Sequence, residues 1–152
     1  MIGAVPRVYL DVNVFIAAFE HGGAHSDHAW WAIRAVEAGE IEAATSELTL
    51  AELLVKPLQQ GQTALAEGYD KMLMTGEHFA VFPVHRGILV EAANLRARRE
   101  SVRLPDAIHI ATAQTSSCRF FVSGDRRLLM PDGLELLSVS PFTLDDIRGT
   151  AL

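Results

Sequence analysis

The sequence contains only one cysteine, Cys118, in 152 residues. No disulfide framework can form, so we expect the protein in a reducing compartment, the cytoplasm. The sequence also lacks any run near the ~18 apolar residues that a membrane-spanning helix needs. It lacks a basic start followed by an apolar stretch of signal-peptide length, and it has no internal repeat or linker. We therefore expect a single domain over residues 1–152 with no membrane partner.

Positive charge is also scarce. The chain has 13 Lys and Arg residues against 19 Asp and Glu, a net charge of −6. This balance argues against a protein whose whole surface is a nucleic-acid footprint, but it leaves room for a local basic strip beside an acidic site. With 49% hydrophobic and 21% charged residues, the composition is typical of a compact α/β domain and argues against disorder.

Short apolar segments alternate with longer segments of helical pattern along the chain. Strands are predicted at 8–10, 41–45, 79–84, 119–123 and 134–139. Helices are predicted at 14–19, 26–38, 47–55, 63–75, 87–99 and 104–115. This alternation indicates an α/β fold in which a parallel sheet is covered by helices on both faces.

Four residues mark helix ends in this prediction. Asn13 and Ser46 can cap the helices that follow them, because their side-chain oxygens can accept an unpaired backbone N–H. Gly39 is expected to stop the second helix in a left-handed conformation. Pro57 is expected to end or kink the third helix.

Four carboxylates lie in unexpectedly apolar surroundings. Asp11 follows the first strand, and Asp125 lies two residues past the polar end of the fourth. Glu52 and Asp106 are almost the only charges in two apolar helical stretches. Ligands of open α/β sheets bind at the carboxyl ends of the strands. Asp11 and Asp125 are therefore close together if their strands are neighbours.

Carboxylates that gather at one site repel one another unless a cation is present. A partly buried charge is also costly unless it is paired or bound to a metal, and no lysine or arginine lies within these apolar stretches. All-oxygen ligands suit hard cations, and Mg²⁺ is typically held by a few carboxylates and several waters. The pattern therefore predicts Mg²⁺ or Mn²⁺, which can activate water for attack on a phosphodiester.

The four acids are contained in four longer segments of the sequence. These are Tyr9-Leu10-Asp11-Val12-Asn13-Val14-Phe15-Ile16, Thr45-Ser46-Glu47-Leu48-Thr49-Leu50-Ala51-Glu52-Leu53-Leu54, Leu104-Pro105-Asp106-Ala107-Ile108-His109-Ile110-Ala111-Thr112-Ala113 and Phe121-Val122-Ser123-Gly124-Asp125-Arg126-Arg127-Leu128. In this order and spacing they resemble the PIN-domain nucleases, particularly the toxin halves of VapBC-type toxin–antitoxin modules. The resemblance covers nearly the whole chain. It departs at Gly124, where many relatives carry a polar residue, and this concerns only the local turn.

The resemblance implies a metal-dependent endoribonuclease, the toxin of a type II toxin–antitoxin system. Its acidic site would consist of Asp11, Glu52, Asp106 and Asp125. The implied fold is a three-layer α/β/α sandwich with a five-stranded parallel sheet, in which the first and fourth strands are adjacent. The implied partners are RNA, a cognate antitoxin bound near the early helices, and a second copy of the chain in a homodimer.

Each acid can be given a role from its chemistry. We assign Asp11, Asp106 and Asp125 to direct or water-mediated contacts with Mg²⁺ or Mn²⁺. Glu52 is expected to position a metal-bound water or to act as the base.

Five further residues are candidates for substrate binding or for support of the acids. Asn13 and Ser123 are expected to orient carboxylates or a phosphate by hydrogen bonds. Arg126 and Arg127 follow the last acid, and arginine matches phosphate geometry with paired donors. His109 lies one helical turn beyond the third acid, so it can contact substrate or a carboxylate, or it can be a hydrogen-bonded core histidine.

Three alternatives to the nuclease hypothesis stay open. A phosphatase of the haloacid dehalogenase type also has an Asp after its first strand, but it normally has a second Asp where this chain has Asn13, and we find no partner lysine. A catalytically silent PIN-like binding module would not need all four acids. The four acids could also be unrelated surface residues, which their matched apolar settings argue against.

Overall fold

The computed structural model describes residues 5–20, 22–139 and 147. Within them, five short strands alternate with six helices. The strands are β1 (Arg7–Leu10), β2 (Glu42–Ser46), β3 (Phe79–Phe82), β4 (Phe120–Val122) and β5 (Glu135–Leu137). The helices are α1 (Val12–Glu20), α2 (Ala24–Glu37), α3 (Glu47–Gln59), α4 (Thr63–Met72), α5 (Arg86–Arg98) and α6 (Leu104–Thr115). None of the described helices is long and apolar enough to span a bilayer.

The five strands form one parallel sheet in the order β3-β2-β1-β4-β5. The chain adds β2 and β3 on one side of β1 and then returns to add β4 and β5 on its other side. The strand order therefore reverses between β1 and β4, where Leu10 pairs with Val122. This confirms the predicted five-stranded parallel sheet and the adjacency of the first and fourth strands. It also creates a topological switch point directly before Asp11 and Ser123.

Alternate residues of β1 face two different cores, because successive side chains of a strand point to opposite faces. Val8 and Leu10 pack in a core with α1 and α2, including Phe15 and Ile33. Tyr9 packs on the other face with residues of α6 such as Ile110. Helices therefore cover both faces of the sheet, which confirms the three-layer α/β/α sandwich.

The first helix begins earlier than the sequence predicts. Asn13 was expected to be its N-cap, but α1 starts at Val12, so Asn13 lies inside the first turn. The prediction was wrong because β1 passes into α1 through Asp11 alone. The Asp11 carboxylate Oδ1 accepts a hydrogen bond from the Val12 N–H at 2.8 Å, and its carbonyl accepts one from the Val14 N–H at 3.1 Å.

The third helix begins as predicted and ends later. Ser46 is its N-cap, and the Ser46 Oγ accepts a hydrogen bond from the Leu48 N–H at 3.0 Å. Pro57 does not end the helix, which continues to Gln59. Proline removes one intrahelical hydrogen bond, and here its ring is buried and only two helical residues follow it. Gly39 has a φ of 74°, as expected of a left-handed stop after α2.

Candidate active site

An open cleft of about 650 Å³ lies at the carboxyl edge of the sheet. All four predicted acids line this acidic cleft. Asp11 lies at the end of β1, Glu52 on α3, Asp106 in the first turn of α6, and Asp125 in the loop after β4. The structure therefore brings together four carboxylates that are spread over more than 100 residues of sequence.

Asp11 is the most constrained of the four acids. Its side chain is buried, and both carboxylate oxygens accept hydrogen bonds, Oδ1 from the Val12 N–H and Oδ2 from the Ser123 hydroxyl at 2.7 Å. The same Ser123 oxygen accepts a hydrogen bond from the Asp125 N–H at 3.0 Å. Ser123 therefore connects the ends of β1 and β4 and fixes the orientation of the Asp11 carboxylate.

Asp106 is held in an environment that disfavours its charge. Burial raises the pKa of this carboxyl above its usual value, and the negative charges of Asp11 and Asp125 raise it further. The positive charge of Arg103 lowers the pKa by more than either carboxylate raises it, but not by enough to offset burial. The raised pKa is therefore chiefly an effect of burial, and a cation bound in the cleft would favour the ionised form of Asp106.

Two arginines pair with acids of the cleft, which the sequence analysis did not anticipate. Arg103 Nε lies 3.7 Å from Asp106 Oδ2, and Arg127 Nε lies 3.1 Å from Asp125 Oδ1. Hydrogen bonds from the side chain and backbone of Arg127 lower the pKa of Asp125. Both arginines lie just outside the apolar stretches, and each is only two or three residues from the acid with which it pairs. Because both guanidinium side chains are largely exposed, these ion pairs are weak and exchangeable.

The Glu52 side chain makes one hydrogen bond with the described residues. Its Oε1 lies 2.5 Å from His109 Nε2, and Oε2 has no hydrogen-bond partner among those residues. His109 is buried, and its Nδ1 lies 2.6 Å from the Tyr9 hydroxyl. His109 is therefore a hydrogen-bonded core histidine that also contacts a carboxylate, whereas its contact with substrate stays a prediction. Sequence reasoning missed Tyr9, although its position in β1 places it on the face that α6 covers.

The remaining candidates border the cleft on its exposed side. Asn13 is exposed and lines both the acidic cleft and a neighbouring, larger cleft. Arg126 lines only the larger cleft, whereas Arg127 lines both. A Cβ added at Gly124 would lie 3.5 Å from Asn13, which is an ordinary contact. A glycine at position 124, where many relatives carry a polar residue, is therefore not needed to make room for Asn13.

The donor set of the cleft suits a hard divalent cation, although the ligands are not gathered into a preformed site. Among the described residues, no group of three or more His, Cys, Asp or Glu side chains is close enough to hold a metal ion. The cleft nevertheless supplies four carboxylates, and burial disfavours the charge of Asp106 in the absence of a cation. Mg²⁺ prefers oxygen ligands and keeps several waters when it binds proteins, so the carboxylate oxygens of the cleft are chemically suited to it. The residues therefore fit the ion.

The strand order and the acidic cleft define an α/β/α protein whose acidic cleft lies at its topological switch point. The family model described as PIN domain matches residues 8–133. The chain therefore belongs to the PIN-domain family, and the resemblance inferred from the four sequence segments is confirmed.

Solved structures share this fold at low sequence identity. A toxin–antitoxin complex from Klebsiella pneumoniae matches with a TM-score of 0.62 and 22% identity, over 84% of this chain and 94% of that chain. VapBC2 from Rickettsia felis, bound to a promoter DNA fragment, matches with a TM-score of 0.69 and 14% identity, over 88% of this chain and 99% of that chain. Mycobacterium tuberculosis VapC20, a toxin that cleaves the sarcin-ricin loop, matches with a TM-score of 0.62 and 16% identity, over 78% of this chain and 91% of that chain. No curated protein sequence matches the chain.

Proposed function

We propose that the protein is an endoribonuclease dependent on Mg²⁺ or Mn²⁺, and that it is the toxin of a type II toxin–antitoxin pair in the cytoplasm. The observation that carries this proposal is the convergence of four carboxylates in one cleft at the switch point of the sheet. Membership of the PIN-domain family supports the same activity.

The proposed roles follow from the geometry of each residue. Asp11, Asp106 and Asp125 would hold the cation, which supplies an activated water and offsets charge on the phosphodiester. Ser123 keeps the Asp11 carboxylate turned into the cleft. Glu52 presents Oε2, the oxygen without a described partner, as the acceptor for a proton of the attacking water.

The exposed residues beside the acids would bind RNA. Arg127 lies at the border of the two clefts, with Arg126 and Asn13 next to it. Arginine donates paired hydrogen bonds to phosphate, and the Arg127 side chain can leave its exposed pair with Asp125 at little cost. We propose that the RNA backbone crosses this border and brings one phosphate over the acids.

An antitoxin and a second copy of the chain are the proposed protein partners. The solved structures that share the fold include a toxin–antitoxin complex and VapBC2. We propose that a cognate antitoxin binds near α1 and α2 and that the protein forms homodimers. Co-purification with the product of the adjoining reading frame tests the first proposal, and sedimentation of the isolated protein tests the second.

RNA cleavage by the purified protein tests the proposed activity. We expect cleavage with Mg²⁺ or Mn²⁺ and none with EDTA. Asp11→Asn should reduce cleavage at least about 100-fold, because changes to residues that merely support a metal ligand already cost 10–100-fold. Asp70→Asn, an exposed change on α4, serves as the control and should leave cleavage unchanged.

Three results would contradict this assignment. Undiminished cleavage by Asp11→Asn would remove the acidic cleft from the reaction. A phospho-aspartate trapped with a fluoride analogue would favour the phosphatase alternative. Failure of the wild-type protein to bind Mn²⁺ in calorimetry would favour the silent binding module.

A further inference from the structure

Behind the acidic cleft lies a continuous chain of hydrogen-bonded side chains from three elements. The Tyr9 hydroxyl of β1 lies 2.6 Å from Nδ1 of His109 on α6, and His109 Nε2 lies 2.5 Å from Oε1 of Glu52 on α3. Tyr9 is fully buried and His109 almost so, whereas the Glu52 side chain is 33% exposed. This series of hydrogen bonds therefore runs from the interior of the molecule to the surface of the cleft.

The Tyr9 ring is fixed by its neighbours. It stacks on Phe121 of β4 with ring centroids 4.9 Å apart, and it meets the His109 ring edge-on at 5.8 Å. The central strand therefore sets the position of the hydroxyl, and the hydroxyl sets the position of the imidazole.

The direction of the hydrogen bonds follows from the chemistry of the two ends. An ionised carboxylate can only accept hydrogen bonds, so Nε2 carries a proton that it donates to Glu52. A phenol has an ordinary pKa of about 10, so the Tyr9 hydroxyl keeps its proton near neutral pH. In a neutral imidazole, Nδ1 is then the acceptor for the Tyr9 hydroxyl.

We propose that Tyr9 and His109 are positioning residues for Glu52, with the Tyr9 hydroxyl selecting the His109 tautomer whose Nε2–H anchors Oε1 and leaves Oε2 facing the cleft. This inference rests on the proposed nuclease function, in which Oε2 accepts the proton of the attacking water. Loss of the anchor would let the carboxylate rotate away from a productive geometry. Misplacement of a reacting group by about 1 Å is enough to slow a reaction greatly.

The protein offers a matched control, because its only other tyrosine is also buried and also donates its hydroxyl to another side chain. The Tyr69 hydroxyl donates to Glu20 Oε2 at 2.5 Å, and neither residue lines the acidic cleft. Tyr9→Phe and Tyr69→Phe each remove one buried hydroxyl and keep the ring. They should therefore destabilise the protein similarly, whereas only the first should affect Glu52.

The experiment combines cleavage kinetics with ¹⁵N NMR of the imidazole nitrogens, and His109→Gln identifies the His109 signals. We expect Tyr9→Phe to lower kcat about 10–100-fold with KM within about twofold, since positioning acts on the reaction more than on RNA binding. The wild-type nitrogen shifts should show the neutral Nε2–H tautomer, and Tyr9→Phe should shift them towards a mixture. His109→Gln, which keeps an N–H in place of Nε2–H, should retain more activity than His109→Leu.

Four outcomes would overturn the inference while leaving the nuclease proposal intact. They are an unchanged kcat in Tyr9→Phe, unchanged His109 shifts in that variant, an equal loss of kcat in Tyr69→Phe, and a wild-type histidine protonated at Nδ1. If the wild-type protein does not cleave RNA at all, the proposed function fails instead. The nitrogen shifts, which need no activity, then decide on their own whether the chain from Tyr9 to Glu52 exists.

Discussion

At the scale of single residues, Asp106 shows most directly what the acidic cleft costs the protein. Burial is the main reason that its folded-state pKa is raised above the reference value of 3.8. The group therefore favours the folded state while it is protonated, below about pH 3.8. That contribution is lost as the pH rises through the raised pKa.

Asp106→Asn removes this ionisation while nearly preserving the shape of the side chain. At pH near 7 with EDTA, we expect the variant to melt at a higher temperature than the wild type. Each kcal/mol gained in the free energy of unfolding should raise the melting temperature by about 2–4 °C. The difference should vanish as the pH falls below about 3.8, where the wild-type carboxyl is protonated too. Thermal unfolding across this pH range measures both effects.

The same variant reports on metal binding. A ligand that binds only the folded state raises its melting temperature, so Mn²⁺ should stabilise the wild type and stabilise Asp106→Asn less. Asp70→Asn should behave as the wild type does in both conditions. An intact Mn²⁺ shift in Asp106→Asn would place Asp106 outside the metal site.

At the scale of elements, the start of α3 determines where Glu52 lies. Ser46 is the last residue of β2 and the N-cap of α3, so the strand passes into the helix without a connecting loop. Glu52 lies six residues further on, near the middle of the helix. The cap therefore couples the position of this carboxylate to the central sheet.

We expect Ser46→Ala to destabilise the protein by about 0.5–2 kcal/mol, because it removes the acceptor for the Leu48 N–H. Ser46→Thr should recover part of the loss, since threonine also caps helices and adds no charge at this buried position. Chemical denaturation measures both values. Gln62→Ala is the matched control, because Gln62 is the N-cap of α4 but makes no side-chain capping bond. A similar loss in both alanine variants would show that the Ser46 cap contributes nothing specific.

At the scale of the whole molecule, a protein of net charge −6 must bind a polyanion through a local group of cations. Arg126 and Arg127 are exposed at the border of the two clefts. Arg34 is also exposed, but it lies in the last turn of α2, which leads into the opposite edge of the sheet. The chain therefore provides arginines near the cleft and one far from it.

The combined change Arg126→Ala and Arg127→Ala should weaken RNA binding and flatten its dependence on salt. Each phosphate contact that is lost reduces the slope of log K against log salt by about 0.7 for a single strand. Binding titrations at several salt concentrations measure the slope. Arg34→Ala should leave it unchanged, and an equal slope in the double variant would show that these two arginines do not contact phosphate.

The sequence by itself determined those features that depend on neighbouring residues. The limits of α6, Leu104–Thr115, agree with the prediction, as does the Ser46 cap. Both depend on capping, proline placement and periodicity, which act within a few residues. The four acids could also be found, because each is a charge in an apolar local setting that needs a compensating interaction.

Only the tertiary structure decided how the acids are supported and paired. The chain from Tyr9 through His109 to Glu52 joins residues 100 and 57 positions apart. It exists because β1 lies at the centre of the sheet, with α6 packed on the face that Tyr9 occupies. Two ion pairs, Arg103 with Asp106 and Arg127 with Asp125, are local in sequence. They nevertheless depend on the cleft, because both arginines line it. Strand order and helix packing set these contacts, and no local sequence pattern encodes either.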